Sequence, residues 1–124
     1  MTQWLAIAAG GAAGALLRYA TSTFVHHRLG TGFPWGTLAV NVSGSLAMGF
    51  LYIVLIERSA LGPEWRALLL VGLLGAFTTF STFSIETFNL LEAGSVGRAA
   101  ANVGASVILC LAAAWLGVVL GRLL

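Results

Sequence analysis

Gly72-Leu-Leu-Gly-Ala-Phe-Thr-Thr-Phe-Ser-Thr-Phe-Ser84 decides how this chain is read. It lies inside a long apolar segment, yet it holds two glycines and five hydroxyls, and Phe77, Phe80 and Phe83 recur every third residue. In hydrocarbon every polar group must find a partner. A cluster of this density therefore either binds something or lines a path, and the rest of the chain reads as its housing.

The surroundings are those of a membrane protein. Of 124 residues 59% are apolar and only 8% charged, against about 25% charged in an ordinary soluble domain. The net charge of +2 comes from six arginines, too few for a nucleic-acid surface. Cys110 is the single cysteine, so no internal disulfide can form. Spanning bilayer hydrocarbon takes about 20 helical residues, and four runs qualify: roughly 3–25, 37–56, 67–91 and 99–123. The whole chain, 1–124, is expected to be one four-span, all-α membrane domain. The first run is too long and too Gly/Ala-patterned for a cleaved signal peptide. No extramembrane domain is expected, which argues against an enzyme and leaves a transporter, a channel or a small membrane subunit.

The first run carries Trp4, suited to the interface, then Gly10-Gly-Ala-Ala-Gly-Ala15, whose four-residue spacings give a smooth face for close packing. Arg18 follows. It reads two ways, as an anchor that snorkels to the interface or as a positive charge at the mouth of an anion path. His26 and His27 are adjacent and so cannot share a helix face; they suggest a solvated loop rather than a metal site. Pro34 and Trp35 mark the next helix start. On the second run Thr37, Asn41, Ser45 and Met48 share a face. Asn41 offers two amide donors without a charge, which suits a partly dehydrated anion; the plainer reading is a bond to a neighbouring helix. Gly44 and Gly49 admit another backbone. Glu57 to Arg66 and Glu92 to Arg98 read as short aqueous turns. On the fourth run Asn102, Ser106 and Cys110 recur at four-residue steps, as do Gly117 and Gly121. This stripe is either an interhelical hydrogen-bond seam or a track of weak donors.

With four spans, Arg58, Arg66 and Arg122 fall on one side, and Arg28, Arg98 and a snorkelling Arg18 on the other. Lys/Arg asymmetry in short loops sets orientation. Near-zero asymmetry predicts insertion both ways and hence pairing as an antiparallel dimer. In the opening stretch Phe80 and Phe83 share a helix face. Aromatic rings have positive edges, and edges turned toward an anion attract it without the grip of a lysine, as rapid conduction requires. A plain aromatic packing face is the competing reading. Gly72, Gly75 and the β-branched threonines weaken helicity locally. If the third helix opens there, freed carbonyls can coordinate a small cation.

Three motifs, Gly10-Gly-Ala-Ala-Gly-Ala-Leu-Leu-Arg-Tyr19, Phe33-Pro-Trp-Gly-Thr-Leu-Ala-Val-Asn41 and the opening stretch, resemble in order and spacing those of the Fluc/CrcB family of fluoride channels. The resemblance implies a dual-topology antiparallel homodimer with two pores in the plasma (inner) membrane of a bacterium. It implies passive, selective fluoride export that confers fluoride resistance. By the same resemblance Phe80 and Phe83 form an aromatic box, Asn41 is a pore-lining amide, and Ser81 and Thr82 supply hydroxyls to fluoride. Ser106 belongs to the polar track with Asn102 and Cys110, and Arg18 sits near the vestibule. Backbone carbonyls of Gly75 and Thr78 from both subunits would hold a central structural sodium, breaking the third helix near its middle. Ala76 stands where a second glycine is usual in the family. Two rivals remain: a small proton-coupled multidrug exporter, for which Glu86 is the one carboxylate within the third span, and a non-transporting membrane subunit.

Overall fold

A computed structural model describes residues 2–58 and 61–124, and every regular element among them is helical. Helix α1, Thr2–Leu29, ends at Gly30, whose φ of 83° lets its N–H turn back to the His26 carbonyl at 2.8 Å. Helix α2, Trp35–Tyr52, starts after Pro34 and continues through a π-helical turn, Ile53–Glu57. Helix α3, Pro63–Arg66, begins on a proline whose missing N–H would have no intrahelical partner anyway. It runs on through π-helical Ala67–Leu74 into α4, Gly75–Phe77. Thr78 and Thr79 are extended, and the chain resumes as α5, Phe80–Glu92. A left-handed Gly94 (φ 78°) then leads to α6, Val96–Leu123.

The expected aqueous turn from Glu57 to Arg66 is shorter than anticipated. Its last four residues are already helical as α3, because Pro63 sets the first helical φ and Glu64 sits in the first turn, where a carboxylate suits the helix dipole. Ser59 and Ala60 lie outside the described residues. His26 and His27, expected in a loop, lie on the last turn of α1, where basic groups suit the dipole of a helix end. Three helical stretches are long and apolar enough to cross a bilayer: Trp35–Glu57, Pro63–Glu92 and Val96–Leu123. Helix α1 is as long as α6, at 28 residues, but Gly, Ala, Ser, Thr, His and Arg make it less apolar.

Glycine governs the packing. Gly10 and Gly14 face the π-helical segment so closely that a Cβ on either would overlap the carbonyl of Leu68 or Leu73. Gly72 returns the contact, 2.8 Å from the Ile7 carbonyl if it bore a Cβ. Gly49 and Gly117 do the same between α2 and α6, against the carbonyls of Ala114 and Leu46. With no hydrophobic drive between helices in lipid, such backbone approach supplies the van der Waals contact that holds them. Gly11 faces open space, so of the closely spaced glycines on α1 only Gly10 and Gly14 make this contact.

Few large side chains are fully buried, chiefly Val40, Ile53, Leu55 and Asn102. Leu16, Phe24, Ile108, Leu111 and Trp115 all point outward, an apolar exterior suited to lipid or to another chain. At one end Arg122 pairs with Glu57 at 3.0 Å, and the Arg58 guanidinium donates to the Arg122 carbonyl at 3.0 Å. Arg98 donates to the Gly32 carbonyl at 3.3 Å and ties the start of α6 to the chain after α1.

Candidate functional site

The two extended residues, Thr78 and Thr79, are held by side chains that stand in for helical partners. The Thr78 hydroxyl and N–H both donate to the Leu74 carbonyl, at 2.9 and 3.0 Å, closing the last turn before the interruption. The Asn41 carboxamide then pairs with the Thr79 peptide as another peptide would. Its Nδ2 donates to the Thr79 carbonyl at 2.9 Å, and the Thr79 N–H donates to its Oδ1 at 2.8 Å. The Thr79 hydroxyl caps α5, accepting from the Thr82 N–H at 3.1 Å. One turn further along α2, Gly44 leaves the space taken by the Thr78 methyl and the Phe77 ring. Of the residues expected to weaken the helix, Gly75 keeps helical dihedrals of −61° and −38°. The β-branched threonines, which tolerate extended backbone better, take the irregular conformation instead.

This arrangement diverts two helical donors. In a continuous helix the Thr79 N–H would bond the Gly75 carbonyl, and the Thr82 N–H that of Thr78. The first is engaged by Asn41 and the second by the Thr79 hydroxyl. Gly75 and Thr78, the pair expected to hold sodium, are thus among the residues whose carbonyls lose their helical donors at the interruption. Oxygen donors of this kind suit a hard cation.

Two hollows meet at Thr79. One is a groove of about 420 Å³ whose wall includes Asn41, Thr79, Phe80, Phe83, Ser106 and Cys110. The Phe80 and Phe83 rings lie 5.4 Å apart at 47°, a tilted pair on the groove wall. Phe80 is 79% exposed, so one chain leaves this wall open. No charged side chain lines the groove among the described residues. The other hollow, about 360 Å³, is lined by Arg18, Ser22, Thr37, Thr79 and Thr82. A third, about 260 Å³, holds His26, Thr31, Glu86 and Asn89. The Thr37 hydroxyl donates to the Glu86 carboxylate and so links the second hollow to the third.

The anticipated site residues therefore divide. Asn41, Phe80, Phe83 and Ser106 share the groove; Arg18 and Thr82 share the second hollow; exposed Ser81 lines neither. The Ser81 hydroxyl lies 3.3 Å from that of Thr79, and the Thr79 hydroxyl donates to that of Thr82 at 3.0 Å. Of the four-step stripe, Ser106 and Cys110 reach the groove, but Asn102 is 2% exposed and turned to Thr87. Thr79 was not singled out by the sequence reading, although it touches both hollows. A threonine immediately before a resuming apolar-periodic segment is the helix-start signal that could have found it.

The profile of the family described as CrcB-like protein, Camphor Resistance (CrcB), matches residues 5–118. A fluoride-specific ion channel FluC of Methylococcus capsulatus (strain Bath) is 60% identical over 117 residues, which cover 94% of this chain and 51% of that relative. The FluC of Coxiella burnetii (strain Dugway 5J108-111) is 54% identical over 119 residues, covering 95% of this chain and 96% of the relative. That of Shewanella amazonensis is 56% identical over 117 residues, with 94% of each covered. The chain thus spans about half the length of the Methylococcus relative and nearly all of the other two. By the extent of the profile match and by these identities, the chain belongs to the CrcB-like protein family.

Proposed function

We propose that this chain is a fluoride-selective channel that lets the anion leave the cell passively and so gives fluoride resistance. The observation that carries this reading is the neutral groove beside the interruption. Phe80, Phe83, Asn41, with one amide N–H not committed to Thr79, and Ser106 line it together without a charged side chain. Weak, repeated donors of this kind let an anion enter and also leave. Relatives sharing more than half of the aligned residues are named fluoride-specific ion channels, which agrees. Arg18, in the adjoining hollow, supplies a positive field at the approach without standing inside the groove.

In this proposal α1 is the first of four spans forming one membrane domain, and the segment from Pro63 to Glu92 is a single transmembrane helix broken at Thr78–Thr79. Two copies pair head to tail in a bacterial inner membrane. The nearly even placement of arginines supports dual insertion, and the open wall at Phe80 supports a second chain that completes the groove. Two inverted copies would give two pores. The Gly75 and Thr78 carbonyls of both copies would hold a structural sodium, which when bound offsets the carbonyl dipoles and ties the two interruptions together. The chain's own part is to keep those carbonyls free, through Asn41 and the Thr79 hydroxyl.

The exporter reading needs a carboxylate in the transport path. Glu86 lies in the third hollow, bonded to Thr37, and not in the groove of the phenylalanines. The test is efflux from liposomes reconstituted with purified protein, followed with a fluoride electrode. Fluoride is expected to leave down its gradient while chloride stays. Chloride loss at the same rate, or strict dependence on a proton gradient, would overturn the proposal.

A further inference from the structure

Asn102 is the one carboxamide among the large, fully buried side chains, and it stands outside the groove. Its Nδ2 donates to the Thr87 hydroxyl at 2.9 Å, and Thr87 in turn donates to the Phe83 carbonyl at 2.7 Å. Its Oδ1 accepts the Ser106 hydroxyl at 3.5 Å, the outer limit of such a bond. The relay runs in one direction, from Ser106 through Asn102 and Thr87 to the backbone of Phe83. Both ends of it line the groove and its middle does not. Helices α5 and α6 have little other polar connection: α5 has no buried residue, and α6 packs chiefly on α2.

We propose that Asn102 is a positioning residue of the anion path rather than one of its ligands. Bonded to Thr87, it fixes α5, and with it Phe83, against α6, and it holds the Ser106 proton in a long, weak bond. A strong, compact acceptor in the groove draws that proton away at small cost, whereas a large, weak acceptor does not. Asn102 thus biases the Ser106 donor toward fluoride over chloride. This rests on the channel reading for its flux effects; the coupling of α5 to α6 stands independently of it.

The test is a double-variant cycle with a second readout that needs no fluoride. Asn102→Leu and Ser106→Ala are each expected to slow fluoride efflux about tenfold, within the range of coupling seen for contacting polar groups. In the Ser106→Ala background Asn102→Leu is expected to slow flux several-fold less than in the wild type, because its hold on the Ser106 proton is already gone and only its bond to Thr87 remains. A generic packing defect would slow flux equally in both backgrounds, and that result overturns the proposal. Cys110, the single thiol, lies one turn beyond Ser106 on the same groove. Its labelling by a small methanethiosulfonate reagent in detergent reads the wall geometry directly. A several-fold change in labelling rate is expected in Asn102→Leu, and an unchanged rate overturns the proposal. If the wild type carries no fluoride while Asn102→Leu still alters Cys110 labelling, the channel reading falls and the positioning role stands. Should Asn102→Leu fail to fold, Thr87→Val cuts the same relay at nearly constant shape and is expected to give the same change in labelling.

Discussion

Replacing Asn41 by leucine separates two roles that its carboxamide combines. An amide that only donated to a passing anion would cost flux on removal and leave the fold alone. The Asn41 amide also exchanges two hydrogen bonds with the Thr79 peptide, at 2.8 and 2.9 Å. Leucine, of similar volume, leaves both the N–H and the carbonyl of Thr79 without that partner in a part-buried site. An orphaned buried polar group costs about 1–3 kcal/mol, whereas hydrogen bonds between membrane helices average about 0.6 kcal/mol because the unfolded chain finds partners too. Two orphans discounted in this way give a loss of about 2–4 kcal/mol, or a shift of roughly 30- to 800-fold in the unfolding equilibrium. Equilibrium unfolding in mixed SDS and dodecylmaltoside micelles, read by tryptophan fluorescence, measures the shift. Efflux measured alongside should fall to the background leak. Lost efflux with an unfolding midpoint equal to the wild type's would refute the bracing role and return Asn41 to an anion ligand alone.

Phe80→Ile and Phe83→Ile keep apolar bulk but remove the ring edges from the groove, so each should suppress fluoride efflux by tenfold or more if edge attraction matters as one electrostatic increment of about 1.4 kcal/mol, with elution volume on a sizing column unchanged. Gly44→Ala puts a methyl where the Thr78 side chain sits; overpacking of this kind costs about 1–3 kcal/mol, which should appear as a lower unfolding midpoint and, if Thr78 is displaced, as reduced efflux. Replacing sodium by N-methylglucamine should lower the unfolding midpoint of the wild type, because a ligand that binds only the folded state stabilises it by mass action; equal midpoints across sodium concentrations would remove the sodium from the proposal.

Periodicity and composition carried the helices a long way, because long apolar runs in a chain so poor in charge have few other fates. Helix ends were less legible. The apolar pattern stops at Val25, but α1 continues to Leu29, since His26, His27 and Arg28 are welcome at a helix C-terminus and only Gly30 forces the chain out. The π-helical geometry of Ala67–Leu74 left no trace in the sequence, and its only visible correlate is the carbonyl contact with Gly10 and Gly14. For the site, sequence marked Gly72, Gly75 and the β-branched threonines together as the places where the helix weakens. It did not say which of them opens: Gly75 stays helical and Thr78 and Thr79 do not. The reason is tertiary: Asn41, 38 residues away, offers Thr79 a peptide-like partner that the helix cannot match. No local propensity encodes that.

Three of the five hydroxyls of the opening stretch serve the backbone. Thr78 and Ser84 donate back to the carbonyls of Leu74 and Phe80, and Thr79 caps α5 while donating to Thr82. Three hydroxyls are thus committed before any ion arrives. That commitment is what a membrane demands of an irregular backbone, since water is not there to satisfy it. It also leaves the groove with donors that are few and weak, an N–H of Asn41 and a loosely held Ser106 proton, beside two aromatic rings. A path lined by five free hydroxyls would hold a small anion tightly and release it slowly. Spending the hydroxyls on the interruption keeps the groove neutral and shallow in energy, and the same bonds free the carbonyls of Gly75 and Thr78. One set of threonines therefore serves a proposed cation site and a proposed anion path at once, which is why substitutions at Thr79 should disturb both together.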